Sequence, residues 1–266
     1  MTRKTAPVAC ALTALLVAVA LRPPAPALAE AEPAAPGQPG FTDYVMRKLD
    51  DMYRGARSHA KLAMKVRTTH WTRTLSLESW SLGTEYSIVR ITSPLKERGN
   101  ATLKAEGELY TYLSKTGRTI KIASGMMSAS WMGSHFTNDD LLRETRFSED
   151  YESELIFEGE EEGQQIYRFE LTPHADTPVV WGRIDVAVRA SDLQPLSELF
   201  YDEDGDKMRL LLFSDHAEVG GRVVPRELTM RPLDGSGEYT ELRYRHIDFN
   251  IDLDPGFFTV NRLESL

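Results

Sequence analysis

Six histidines, an S-x-x-K spacing at Ser93 and a run of alternating aspartates are the residues here whose types and spacing bear on chemistry. His59, His70, His135, His174, His216 and His246 are scattered along the chain. None falls in an H-E-x-x-H or a close His/Cys/Asp cluster, so no metal site is expected. Ser93-Pro94-Leu95-Lys96 has the spacing of penicillin-recognising enzymes, but that motif opens a helix and Pro94 sits between two strand-like stretches, so the match is read as chance. Asp202, Asp204 and Asp206 alternate as in a calcium loop. Gly205, however, falls between the second and third acids, no bidentate glutamate follows in register, and a solvated Asp-Gly hairpin tip accounts for the run. No dinucleotide fingerprint, P-loop or basic stretch with interleaved aromatics is present. Catalytic, cofactor and metal residues are therefore not assigned, and the chain is not expected to be an enzyme.

The remaining chemistry is burial. In the stretch from Leu109 to Leu142, two alternating segments joined at Lys115-Thr116-Gly117 give way at Ser124 to Met126, Met127, Trp131, Met132 and Phe136, jointed by Gly125 and Gly133. Such a segment makes a poor strand and a good adaptable cover over apolar material. Ordinary core beneath a loop has the same composition, so both readings stand at this point. Thr137 with Asp139 and Asp140 then reads as the start of a short helix carrying Leu141 and Leu142.

The termini bear on location. Arg3 and Lys4 precede an apolar run from Ala6 to Leu21, and Ala27-Leu28-Ala29 is a small-x-small cleavage site, together a secretory signal. At roughly 15 residues the run is short for a membrane span of about 20. Residues 1–29 are thus read as a signal peptide, 30–40 as a Pro/Ala/Gly-rich tether and 41–266 as one domain of the periplasm. The single cysteine, Cys10, lies within the signal, so the exported domain must hold together by burial alone. Loss of Arg3, Lys4 and Arg22 leaves 28 basic against 40 acidic residues and moves the formal charge from −9 to −12. That balance argues against nucleic acid and against tight adsorption to anionic headgroups.

The elements that must position the cover follow from periodicity. Phe41 to Tyr53 reads as an amphipathic helix with Phe41, Val45, Leu49 and Met52 on one face and Thr42 as N-cap. From Ser58 the period becomes two: Ala60, Leu62, Met64 and Val66 alternate with His59, Lys61, Lys65 and Arg67. Val45, Leu49, Met52, Leu62, Met64 and Val66 are the candidates to line an interior. About a dozen such strands, joined by turns such as Asp204-Gly205 and Gly220-Gly221, predict a mainly β domain with two or three short helices. One large antiparallel sheet, curled or partly closed, is expected. A sheet of that kind can enclose a ligand, and a sixteen-carbon chain at about 0.8 kcal/mol per buried methylene is worth on the order of 12 kcal/mol.

Several short motifs in order carry a family resemblance. Ser93-Pro94, Lys96-Glu97-Arg98-Gly99, Leu109 to Tyr112, Arg118 to Ile122, Trp131 to Ser134 and Asp139-Asp140-Leu141 resemble the LolA-like family of outer-membrane lipoprotein-sorting proteins. Asp192 to Pro195, Tyr201 to Gly205, Val224-Pro225 and the ending 250–263 are similar to the corresponding family segments. At the position of His135 the family pattern has Asp. The resemblance implies an incomplete, strongly curved β-barrel with short helices over a hydrophobic concave face. It implies a periplasmic carrier binding an acylated lipoprotein or lipid, with an inner-membrane ABC or RND-type permease complex and an outer-membrane acceptor as partners, and acting as a monomer. Met126, Met127, Trp131, Met132, Phe136, Leu141 and Leu142 would then be the lipid-binding lid. A binding or scaffold protein of a membrane transport complex is the alternative, and an esterase a third.

Overall fold

The computed structural model describes residues 35–266 apart from 53–55, 144–146, 176, 178 and 250. The expected signal and the first part of the expected tether lie outside the described residues. Residues 35–40 form turns, with the Gln38 N–H donating to the Ala35 carbonyl at 2.9 Å.

Helix α1 (Phe41–Asp50) is followed by six strands: β1 (Arg57–Arg67), β2 (Thr72–Leu82), β3 (Tyr86–Ser93), β4 (Ala101–Ala105), β5 (Glu108–Leu113) and β6 (Arg118–Lys121). Two short helices, α2 (Asn138–Arg143) and α3 (Phe147–Asp150), lead into seven more strands. These are β7 (Tyr151–Glu161), β8 (Gln164–Pro173), β9 (Arg183–Arg189), β10 (Pro195–Tyr201), β11 (Lys207–Val219), β12 (Arg222–Pro232) and β13 (Tyr239–Asp248), and α4 (Val260–Ser265) closes the chain. All thirteen strands join one antiparallel sheet in the order β6-β5-β4-β3-β2-β1-β13-β12-β11-β10-β9-β8-β7. It is two meanders set back to back along the β1–β13 pair, with β6 and β7 as open edges, so the barrel is incomplete.

Alternation decides which side chains face inward. Ala60, Leu62, Met64 and Val66 of β1 are all buried, and so are Leu75 and Leu77 of β2, in register with Met64 and Leu62. The far side of the sheet contributes Phe169, Leu171, Ile184 and Val186 to the same core. The opposite face is covered locally: Leu253, Phe258 and Leu263 pack on Ile88, Ala101 and Leu103. Thr259 caps α4 by accepting the Arg262 N–H at 3.2 Å, which turns the chain end onto that face.

Helix α1 buries the expected stripe, with Phe41 edge-on to Tyr167 at 5.3 Å and Val45 and Met46 wholly enclosed. Its start corrects the expected Thr42 cap. Gly40, left-handed at φ 86°, is the N-cap, and its carbonyl accepts the Tyr44 N–H, so Thr42 lies inside the first turn. At the other end Asp50 accepts hydrogen bonds from the Phe147 N–H at 2.9 Å, the Ser148 N–H at 3.0 Å and the Ser148 hydroxyl at 2.7 Å. Burial raises its pKa above the ordinary carboxylate value, and the Ser148 and Phe147 bonds offset this in part. A raised carboxyl pKa favours folding below the ordinary value, an advantage lost as pH rises through the folded one. Asp50→Ala is expected to cost about 2 kcal/mol in urea unfolding, since it strands helix N–H donors. The difference from wild type should shrink as pH rises above the ordinary carboxylate range.

Candidate functional site

The topology imposes the site. Strands β6 and β7 are opposite edges of the sheet, so residues 122–150 must run from one edge to the other. Their anchors follow the strand order. Trp131 Nε1 donates to Thr102 Oγ1 on β4 at 3.0 Å, and the Arg73 guanidinium on β2 donates to the Met132 carbonyl. The His135 N–H donates to Thr240 Oγ1 on β13 at 3.0 Å, and Arg209 on β11 grips Asp140. Asp50 on α1 then holds the start of α3.

Inside this crossing, the Trp131 N–H donates to the Phe136 carbonyl at 2.8 Å and folds the segment into a tight loop. The loop turns through two consecutive left-handed residues, Met132 at φ 50° and Gly133 at φ 67°. A side chain at Gly133 would meet Arg73 Nη2 at 3.3 Å as well as straining the backbone. Helix α2 begins with a reciprocal cap: Thr137 Oγ1 accepts the Asp140 N–H at 3.2 Å and Asp140 Oδ2 accepts the Thr137 N–H at 2.7 Å.

Arg209 is the central tie. It is 5% exposed, its Nη1 donates to Asp140 Oδ2 at 2.7 Å, and its Nη2 donates to Oδ1, a bidentate pair. The guanidinium carbon lies 4.1 Å from the Trp181 ring centre and 4.3 Å from that of Phe200, which fixes the plane of the fork. His135 ties the loop at a second point, with Nδ1 2.8 Å from Thr240 Oγ1 and Nε2 3.2 Å from Glu238. Glu238 is held below its ordinary pKa by the Thr69 N–H and by His135.

Between the sheet and this cover lies a cavity of about 220 Å³. Leu49 of α1, Met52 in the turn after it and Leu62 of β1 line it, as do Trp131, Phe136 and Leu141 of the cover. Val45, Met64 and Val66 are wholly buried in the core and do not reach it. Nor do Met126, Met127, Met132 and Leu142. Met126 is 52% exposed, and Met132 packs partly buried on the core. Much of the lining comes from the second meander: Trp181, Phe200, Leu211, Phe213, Leu228 and Met230. Alternation within β11 and β12 carried that signal, but only the fold shows that those faces meet the cover. Polar residues in the lining are Ser58, Ser79, Ser81, Ser87, Asp139, Asp140 and Glu198. At the Asp-Gly hairpin tip, Asp202 Oδ1 accepts the N–H groups of Asp204 and Asp206 at 3.1 and 2.8 Å, as a turn requires.

A family model whose description reads "Uncharacterized protein" matches residues 83–265. The chain belongs to that family, and its fold is LolA-like. No curated protein matches the sequence. Among solved structures, a DUF1329 family protein from Desulfovibrio piger superposes with a TM-score of 0.76 at 20% identity over 83% of this chain and 97% of its own. A domain named for outer membrane lipoprotein sorting from Vibrio parahaemolyticus gives 0.74 at 21% identity over 84% and 98%. A LolA superfamily protein from Nitrosomonas europaea gives 0.71 at 23% identity over 83% and 98%.

Proposed function

We propose that this LolA-like chain is a periplasmic carrier that takes the acyl chains of a lipoprotein or lipid into the cavity beneath residues 124–142 and passes them between membranes. The observation that carries this reading is the apolar cavity under a cover tied down by a few separable polar contacts. About 220 Å³ is less than the roughly 300–1,000 Å³ of pockets for drug-sized ligands, so a long acyl chain enters as the cover shifts. Loading and release then turn on breaking Arg209–Asp140, Arg73–Met132 and His135–Thr240, which leaves the thirteen-strand sheet intact. The reading assigns no bond-making step to the protein. It pairs the chain, as a monomer, with an inner-membrane permease complex as donor and an outer-membrane acceptor.

Native mass spectrometry and solvent extraction of protein purified from the periplasm provide the test. Co-purifying acyl lipid, displaced by acyl probes, is the expected result. Protein free of lipid that also ignores acyl probes would overturn the reading and leave a scaffold role. Turnover of an ester panel lost on a single serine change would replace it with an esterase.

A further inference from the structure

The acidic surplus of the chain is unevenly spread. The turns 68–71, 94–100 and 114–117 fall at one end of the first meander, because antiparallel strands return there at every second turn. This end carries Arg67, Arg73, Lys96, Arg98, Lys115 and Arg118 against one acid, Glu97, which Arg73 matches at 3.0 Å. Lys96, Arg98, Lys115 and Arg118 are exposed, and among the described residues none of the four has an ion-pair partner. Of the carboxylates that approach from elsewhere, Glu238 accepts the Thr69 N–H at 2.8 Å and Glu264 accepts the Thr119 hydroxyl at 2.6 Å. With a Debye length of about 8 Å in physiological salt, the more distant acids are screened from this end.

The same end exposes large apolar side chains: Leu95 at 81%, Trp71 at 44% and Leu113 at 36%. They stand on braced turns. Thr68 Oγ1 accepts the Trp71 N–H at 3.1 Å, and the Pro94 carbonyl accepts the N–H groups of Glu97 and Arg98 at 3.0 Å, closing a turn that contains Leu95. Ser114 Oγ donates to the Arg98 carbonyl at 2.9 Å and its N–H to Asn100 Oδ1 at 3.0 Å, which sets the turn after Leu113 against that of Leu95. Arg73 joins the set, with its guanidinium carbon 5.4 Å from the Trp71 ring centre while it holds Glu97. It also donates to the Met132 carbonyl, so this end of the sheet adjoins the cover. Apolar groups held out in water on fixed turns lose little conformational freedom when a partner buries them.

We infer that this end of the first meander is a docking surface for a bilayer carrying anionic headgroups. Leu95 and Trp71 enter the interface, where an indole ring is at home between headgroup and acyl chain, and Lys96, Arg98, Lys115 and Arg118 meet the phosphates. The charge complementarity is local: the excess of acids over the whole chain, 40 against 31 cations, keeps the rest of the surface off the membrane and so orients the protein on this end. Docking sets the cover beside the headgroups. The inference goes beyond the carrier reading, since it concerns a surface outside the cavity.

Full-length mature protein is floated with vesicles of phosphatidylethanolamine and phosphatidylglycerol, and separately with vesicles of phosphatidylcholine. The expected result is binding about tenfold or more tighter to the anionic vesicles, weakened by high salt. Leu95→Glu is expected to lose about tenfold through lost apolar burial, and Lys96→Glu/Arg98→Glu about tenfold or more through lost charge pairing. Thermal melts of these variants should match wild type, because all three side chains are exposed. No flotation on anionic vesicles overturns the inference and leaves this end to a protein partner with an acidic face. Equal flotation on both kinds of vesicle, or binding that the folded variants retain, overturns it as well. Ala60→Phe, which fills the cavity, should float like wild type, so docking and cargo binding are read separately. Flotation lost on Ala60→Phe but kept by the Leu95 and Lys96/Arg98 variants would show lipid held as cargo and overturn docking.

Discussion

Arg209→Met is expected to lower the unfolding free energy by about 3–5 kcal/mol, because it leaves the Asp140 carboxylate facing an apolar cavity without its counter-ion. The pair is well enclosed, with side-chain exposures of 6% for Arg209 and 17% for Asp140, so solvent does little to compensate the loss. The double variant Arg209→Met/Asp140→Leu removes the stranded charge as well and should recover most of the loss. Urea unfolding of the two singles and the double measures the coupling directly. Hydrogen exchange over 124–142 should rise in the single variant, while β1, β12 and β13 keep their protection, because the strand ladder does not depend on this contact. If the double variant were as unstable as the single one, Arg209 would be acting through its stacking on Trp181 and Phe200.

Ala60→Phe should abolish acyl binding without unfolding the protein. Ala60 is 4% exposed, sits on β1 opposite Ser79, and lines the cavity. A phenyl ring there occupies space that ligand methylenes would use. Displacing four of them, at about 0.8 kcal/mol each, amounts to roughly 3 kcal/mol or about 200-fold in affinity. Since the ring enters existing space, thermal stability should hold or rise. Fluorescence titration with monopalmitoylglycerol and a thermal melt on the same sample separate the two effects. Retained affinity would mean that acyl chains do not occupy this cavity.

Much of the fold is legible in the sequence because burial on one face writes itself as period two. The strand from 57 to 67 and the long strands near the end of the chain all carry that alternation, and a register slip of one residue would turn Leu62 or Phe213 outward. The start of α2 is equally local, since Thr137 and Asp140 satisfy one another's backbone donors within one turn. The start of α1 is less so. Gly40 and Thr42 are both acceptable caps, and the packing of Phe41 on Tyr167 and Phe169 selects the earlier one.

The cover shows where local reasoning ends. Its composition marks residues 124–142 as apolar and adaptable, but does not tell Trp131 and Phe136, which face the cavity, from Met126, which faces solvent. That division depends on two left-handed residues at 132 and 133 and on guanidinium groups from β2 and β11, 59 and 69 residues distant in sequence from the groups they hold. His135, where the family pattern has Asp, takes up Thr240 and Glu238, a tie to groups 105 and 103 residues away in sequence.

The sequence by itself determined that this protein is a mainly β chain with one alternating apolar face and a Met-rich crossing segment, because these are properties of neighbours along the chain. The tertiary structure alone decided that the crossing joins opposite edges of a thirteen-strand sheet and closes a cavity there, and that serines of the first meander and aromatics of the second line it. The physical reason is strand order. Pairing β1 with β13 is a long-range choice that no local pattern encodes, and it is what brings the two meanders together in one sheet.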